Sequence, residues 1–463
     1  MKQVDLIISN IGQLITCAAR EGAKKGIGMR DLGIVEDGAV AVEGKSIVGV
    51  DKSGKILAEF ESENVLDASG RSVSPGFVDP HTHIVFGGDR FNEFELRIKG
   101  ASYLEIMEAG GGIVSTVAKT RAASIRELAS DASERLDVML ELGATTVEIK
   151  TGYGLDFENE IKMLEVIEEL DKNHQVDVIP TFLAAHAIPA DWKGREDEFT
   201  DLICRDMIPA AWDWYKNSHF SAEYPATEGT ENTEKEIVAD KTSNALTQSQ
   251  PNSSSSVNSV AKFRPFFIDV FCEKNAFNLK QSKKVINTAK ELGFAIKAHV
   301  DEFTNLGCAE FAIENGATSI DHLDATSNSE IDLLANSETI GVVTPTVNFN
   351  LGSGEFADAR NMIDRGCAIA LSTDYNPGSA PCPSQPVTMA IACRYQKLLP
   401  SEALNAVTIN AAHAIGLGKT HGSIEVGKRA DLLVFGTEDY RQIAYEFGRN
   451  LVFSVIKSGK RIF

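Results

Sequence analysis

His81 and His83 stand two residues apart at the close of a strand-like run, Ser74-Pro75-Gly76-Phe77-Val78-Asp79-Pro80-His81-Thr82-His83. Residues i and i+2 of a strand point to the same side, so both imidazoles can reach one point in space. A single divalent metal needs such a pair. One His-x-His motif is weak by itself, because a lone histidine is more often a hydrogen-bonded core residue than a ligand. Three further segments strengthen it: His299 in Lys297-Ala298-His299-Val300-Asp301-Glu302, His322 in Ile320-Asp321-His322, and Asp374 in Leu371-Ser372-Thr373-Asp374. Each follows a short apolar run. The chemistry that such a set supports is metal-assisted hydrolysis. His81, His83, His299 and Asp374 would hold one ion and leave a position for water. The ion would lower the pKa of that water and polarise a carbonyl. Asp374 can accept the proton of the water. His322 is expected outside the ligand set, hydrogen-bonded to the water or the oxyanion. Glu302, three residues after His299, is expected to face the pocket and shuttle a proton or hold a ring nitrogen.

The elements that must position these groups follow from the alternation of strand-like and helix-like segments across the middle of the chain. Eight candidate strands cover 76–82, 145–151, 178–185, 266–272, 294–300, 317–322, 340–346 and 367–373. Between them, Glu158 to Lys172, Ser282 to Leu292 and Ser401 to Ile415 carry apolar residues every three to four positions. This rhythm predicts a (β/α)8 barrel over 71–420, with all the candidate ligands at the C-terminal ends of strands, the face where barrel enzymes keep their chemistry. Residues 1–70 and 421–463 read as short strands between turns. Neither end has enough strands to bury a core alone, so the two are expected to pair into one small β-sandwich.

Composition bounds the partners. The 463 residues carry a net charge of −21 and a pI near 4.9, which argues against a non-specific nucleic-acid binder. No run of eighteen apolar residues exists, so no membrane span is expected. The start of the chain lacks the apolar stretch of a signal peptide, and the seven cysteines form no Cys-x-x-Cys pair. Both features predict reduced thiols and a cytoplasmic home. Residues from about 221 to 262 are rich in Glu, Thr, Asn and Ser and poor in apolar side chains, as expected of a disordered surface insertion. Gly110-Gly111-Gly112 lacks the Lys-Ser or Lys-Thr of a phosphate cradle and reads as a tight loop at the barrel mouth. Lys150 ends the second strand, the wrong place for the carboxylated lysine of a two-metal site. One metal is therefore favoured, with Lys150 supporting the loop beside Tyr153.

The stretch Val65-Leu66-Asp67-Ala68-Ser69-Gly70, followed by Pro75-Gly76-Phe77-Val78-Asp79-Pro80-His81-Thr82-His83, resembles the amidohydrolase superfamily. So does the exit Gly422-Ser423-Ile424-Glu425-Val426-Gly427-Lys428-Arg429-Ala430-Asp431-Leu432. Phe86-Gly87-Gly88-Asp89-Arg90, Glu148-Ile149-Lys150-Thr151-Gly152-Tyr153-Gly154, Phe182-Leu183-Ala184-Ala185-His186 and Ser372-Thr373-Asp374-Tyr375-Asn376-Pro377-Gly378 are similar to its imidazolone-opening branch. That resemblance implies hydrolysis of 4-imidazolone-5-propanoate to N-formimidoyl-L-glutamate, one zinc or iron (Fe3+) ion per subunit, and a homodimer. It also implies that Arg90, Tyr153, His186 and Glu302 contact the substrate, and that Asn376, Gly378 and Ser379 contact the ring or the opened product. Ser379 stands where the family often has Thr. The residues agree with these roles: Arg90 can pair with a carboxylate bidentately, and the substrate carries a propionate. Two other readings stay open at this point: a deaminase of a cyclic amidine or nucleobase with the same ligands, and a scaffold that has lost catalysis. The first needs neither Arg90 nor Tyr153 for an anionic tail. The second is disfavoured by the complete ligand set.

Overall fold

The computed structural model describes residues 1–19, 21–101, 111–222 and 264–463. The insertion expected over about 221–262 lies outside the described residues except for its first two positions, and so does Gly110. The barrel strands follow one another in chain order and pair in parallel: Phe77–Asp79, Ala144–Lys150, Asp177–Ala185, Phe267–Cys272, Ala295–Ile296 with His299–Val300, Ser319–His322, Ile340–Val343 and Ile369–Leu371. Every residue of Ala144–Lys150 and of Asp177–Ala185 is buried, as expected of parallel strands covered on both faces. The crossover helix Phe157–Asn173 starts where the Asp156 side chain accepts the Asn159 backbone N–H at 2.8 Å. Met163, Leu164, Ile167 and Leu170 give it one buried stripe, each side chain contributing about 1.5–3 kcal/mol by leaving water.

The barrel does not close by backbone pairing between its first and eighth strands. The helix expected over Ser401 to Ile415 breaks at Val407-Thr408 into Pro400–Ala406 and Ile409–Ala414. The break frees the Val407 carbonyl to accept the Val78 N–H at 2.9 Å, while Asn410 Nδ2 donates to the Ile369 carbonyl at 2.9 Å. These residues fill the seam at the lower end. Near the upper end the His83 N–H donates to the Tyr375 carbonyl at 2.9 Å, and side chains add to this tie. The buried Asp79 carboxylate accepts Ser372 Oγ at 2.5 Å and Thr373 Oγ1 at 2.6 Å, which ties the segment of His81 to that of Asp374.

Both ends of the chain build one further sheet. Leu432–Phe435 pairs antiparallel with Ser72–Pro75 and with Val452–Lys457, and Leu6–Ile15 joins Ser72–Pro75 to Ile34–Glu43 and Ser46–Lys52. Leu6, Ile8, Ile11 and Leu14 pack with Val40, Val42, Leu432, Val434 and Ile456, so residues more than 400 positions apart share one core. An ion network locks this sheet to the barrel. Asp177, the first residue of the third barrel strand, accepts Lys457 Nζ at 2.5 Å and Arg429 Nη2 at 2.9 Å, and Lys457 also reaches Asp431 at 2.7 Å. Asp177, His421 and Asp431 have the spacing of a metal site, yet Lys457 and Arg429 already supply the positive charge there.

Burial alone would raise the Asp177 carboxyl, but Lys457 and Arg429 outweigh it and hold its pKa well below the usual range. A depressed folded-state pKa means that the stabilisation is present above the unfolded value near 4 and is lost as pH falls through the folded value. Asp177→Asn should therefore cost about 3 kcal/mol of unfolding free energy at neutral pH in a urea titration. The gap from the parent chain should shrink in acid. A cost below about 0.5 kcal/mol at pH 7 would show that the network does not tie the two units.

Candidate active site

The strand ends bring His81, His83, His299 and Asp374 to one point. His81 Nε2 lies 3.3 Å from His83 Nε2, His83 Nε2 lies 3.3 Å from His299 Nε2, and Asp374 Oδ1 is 3.6 Å from both His81 Nε2 and His83 Nε2. Ligand atoms about 2.1 Å from an ion at the centre of a tetrahedron are about 3.4 Å apart, so these separations are the edges of a metal polyhedron. Asp374 Oδ1 is buried with no hydrogen-bond partner, which a cation would remedy. Burial, then Lys150 and the neighbouring imidazoles, lowers the pKa of His81 well below its ordinary value. Burial, then His186 and His299, does the same for His83. Neutral imidazole is the form that ligates. His81, His83 and Asp374 form one group with metal-ligand spacing and His81, His299 and His322 another, so the donor set fits a metal ion.

The imidazoles are aimed from below. Asp321 Oδ2 accepts His81 Nδ1–H at 2.6 Å, and Asp269 Oδ2 lies 2.9 Å from His299 Nδ1, at an angle short of a linear hydrogen bond. With Nδ1 facing a carboxylate, each ring turns its Nε2 lone pair toward the centre. Lys150 sits between the carboxylates, 2.8 Å from Asp269 Oδ2, 2.7 Å from Glu148 Oε1 and 3.7 Å from Asp321 Oδ2. Lys297 adds a second buried ammonium, 2.6 Å from Ser319 Oγ and 3.4 Å from Asp321 Oδ2. This corrects the expectation for Lys150. It does not support the Tyr153 loop; as an inward-pointing strand residue it cross-links the supports of two imidazoles. Burial works against its ammonium, but Asp269 and Glu148 outweigh it and raise its pKa.

Around this centre stand the other candidates. His322 Nε2 is buried and unpartnered, its Nδ1 is 3.0 Å from Thr344 Oγ1, and Glu302 Oε2 lies 3.9 Å from its Nε2. Ligand atoms of His322, His81 and His299 lie within 4.8 Å of one another, so His322 borders the ion position. Glu302 is pushed well above the usual carboxyl range by burial and then by Asp374, which favours its acid form. His322 at φ 85° and Asp374 at φ 47° occupy left-handed backbone, which costs non-glycine residues about 1–3 kcal/mol. The Asn376 amide steadies Asp374 by donating to its carbonyl at 2.7 Å. The same side chain accepts the N–H groups of Gly378 and Ser379, both at 2.8 Å. Asn376 therefore shapes the loop, which turns Gly378 and Ser379 toward Arg90 and Asn350.

His186 stacks on His83 with ring centroids 5.0 Å apart, and Tyr153 packs 5.5 Å from His186 and 5.9 Å from His83. His186 Nδ1 donates to the Gly152 carbonyl at 2.9 Å, which leaves Nε2 as an acceptor. Burial, then His299, lowers its pKa to about 4, so it is neutral at pH 7. Gly152, at φ 108°, must be glycine: an added Cβ would stand 2.8 Å from His186 Nδ1. Arg90 and Asp374 both lie close enough to act electrostatically on the Tyr153 phenol, with opposite signs.

The model of the Amidohydrolase family matches residues 64–463. The chain belongs to the amidohydrolase family. Imidazolonepropionase of Chloroflexus aggregans is 46% identical over 99% of each chain, and that of Herpetosiphon aurantiacus is 43% identical over 99% of this chain and 97% of its own. Among solved structures, an adenosine deaminase from Xanthomonas campestris with bound zinc has a TM-score of 0.63 at 19% identity, covering 99% of this chain and 93% of that one. A 5-methylcytosine deaminase from Klebsiella pneumoniae has 0.65 at 15% identity, covering 99% and 97%. These two establish the amidohydrolase fold and nothing finer.

Sequence reasoning overlooked the layer under the ligands. Asp269 in Phe267-Ile268-Asp269-Val270 and Asp321 in Ser319-Ile320-Asp321 interrupt apolar strands with a carboxylate. A charge inside a buried strand needs a partner, and that was the available signal. Removing the Lys150 ammonium takes from Glu148 and Asp269 the cation that both touch. Lys150→Met, which keeps the length and drops the charge, should cost about 3–5 kcal/mol in denaturant unfolding of the metal-free protein. A cost below 1 kcal/mol would mean that the carboxylates find other partners.

Proposed function

We propose that this amidohydrolase hydrolyses the ring C–N bond of 4-imidazolone-5-propanoate to give N-formimidoyl-L-glutamate. The reading rests on one arrangement: the Arg90 guanidinium stands against Gly378, four residues after Asp374, so a carboxylate-binding group shares the pocket with the metal-type cluster, as a small ring with an anionic tail needs. The full-length likeness to chains named imidazolonepropionase supports it. A zinc or ferric ion held by His81, His83, His299 and Asp374 would polarise the ring carbonyl and make water nucleophilic at neutral pH.

The residues of the chain do the rest. Asp374 takes a proton from the attacking water. As water adds to the carbonyl carbon, negative charge gathers on the oxygen. Thr344 Oγ1–H donating to His322 Nδ1 leaves Nε2–H free to stabilise that charge. The bond from the carbonyl carbon to the ring nitrogen then breaks, and Glu302 in its acid form passes a proton to the departing nitrogen. His186, whose Nε2 is an acceptor, takes a hydrogen bond from a ring N–H, so it orients the ring and does not polarise the carbonyl. Arg90 pairs with the propionate and fixes the other end. All seven cysteines are free thiols, which suits the reducing cytosol expected for a homodimer of this kind.

Purified protein should convert imidazolone propionate to the ring-opened acid, lose activity to a chelator and regain it with zinc or iron. Asp374→Ala should lower kcat by about 10³-fold or more and also reduce bound metal in elemental analysis, with the thermal midpoint of the metal-free protein unchanged. Ammonia release without ring-opened acid would instead identify a deaminase and sink this reading.

A further inference from the structure

Arg90 is not a free side chain waiting for a carboxylate. Its Nε donates to Glu93 Oε2 at 2.7 Å and its Nη2 to Glu93 Oε1, one full edge of the guanidinium. Glu93 is 7% exposed and takes a third donor, the Gly112 N–H, at 2.8 Å. Arg97, one turn further along the helix Phe91–Ile98, stands 4.0 Å from Glu93 and donates from Nη2 to the Gly378 carbonyl at 2.9 Å. On the far side of Arg90 the wall is Gly378: a Cβ there would lie 2.1 Å from Arg90 Nη1. The guanidinium is therefore gripped along one edge by a buried carboxylate and fits a slot that only a residue without a side chain leaves open.

A guanidinium carries five N–H groups in one plane. The Glu93 edge uses Nε–H and one hydrogen of Nη2. The Nη1 hydrogens and the second Nη2 hydrogen form the end of the fork, the geometry that meets a second carboxylate with two parallel bonds. We propose that Glu93 is a positioning residue, which fixes Arg90 so that the end of its guanidinium meets the substrate carboxylate and selects for an anionic tail. This rests on the imidazolone-propionate reading. An unheld arginine would have to give up its rotamer freedom when substrate binds, and a held one has already done so. The effect belongs in KM, since the tail contact is the same in the ground state and the transition state.

The test compares the parent chain, Glu93→Gln and Arg90→Gln on imidazolone propionate and on the same ring with its tail as the propanamide. The parent should prefer the acid. Glu93→Gln should raise KM for the acid about tenfold, keep kcat within about twofold, and reduce the acid-over-amide preference in kcat/KM by a similar factor. Gly378→Ala, which crowds Arg90 from the opposite side, should reduce the same preference and serves if Glu93→Gln does not fold. A preference lost in Arg90→Gln but intact in both other variants overturns the role of Glu93 and leaves the substrate assignment standing. A preference intact in Arg90→Gln overturns the tail contact itself.

Discussion

Two lysines and three carboxylates, Lys150 and Lys297 with Glu148, Asp269 and Asp321, share the dry interior directly under the four candidate ligands. Everything above depends on how this layer balances. A buried ion pair contributes little by itself once desolvation is counted, but a single missing partner leaves a bare charge in a medium that cannot screen it. The layer therefore restricts the chain to arrangements in which the second, fourth, fifth and sixth strands keep their register. That register holds Asp321 under His81 and Asp269 under His299. The parallel pairing of His299 with Asp321 and of Val300 with His322 expresses the same constraint in the backbone.

The rim is built differently. His322 and Asp374 sit on left-handed backbone where their strands end, and the Asn376 amide and the Ser372–Asp79 hydrogen bond supply local support. Strain at these positions turns side chains inward that a regular strand would send along the wall. The rigid layer fixes where the imidazoles aim, and the strained rim brings the carboxylate to meet them. Burial raises the carboxyl pKa of both Glu302 and Asp374, and the Asp374 charge raises that of Glu302 further.

The sheet made from both chain ends meets the barrel at the start of the third strand. Asp177 opens the third barrel strand and is held there by Lys457 and Arg429, residues from the last part of the chain. Through it, the small sheet anchors the strand that ends at His186. The helix broken at Val407-Thr408 does similar service at the seam, giving its carbonyl to Val78 three residues before His81.

The His-x-His pair, the three distant segments that carry His299, His322 and Asp374, and the beat of strand and helix were readable directly, because each depends on periodicities of two and of 3.6 that local sequence carries. The insulated charges at Asp269 and Asp321 were visible but unassigned, since a strand pattern tells that a residue is buried and not what it meets. The direction of Lys150, the break at Val407, the grip of Glu93 on Arg90 and the split duty of Asn376 depend on contacts between segments far apart in the chain or on turns outside either period. The sequence by itself determined which groups stand at strand ends, and so the class of chemistry. Only the tertiary structure decided which carboxylate aims which ring and which arginine edge remains free, because those choices are made by neighbours in space whose identities no local pattern encodes.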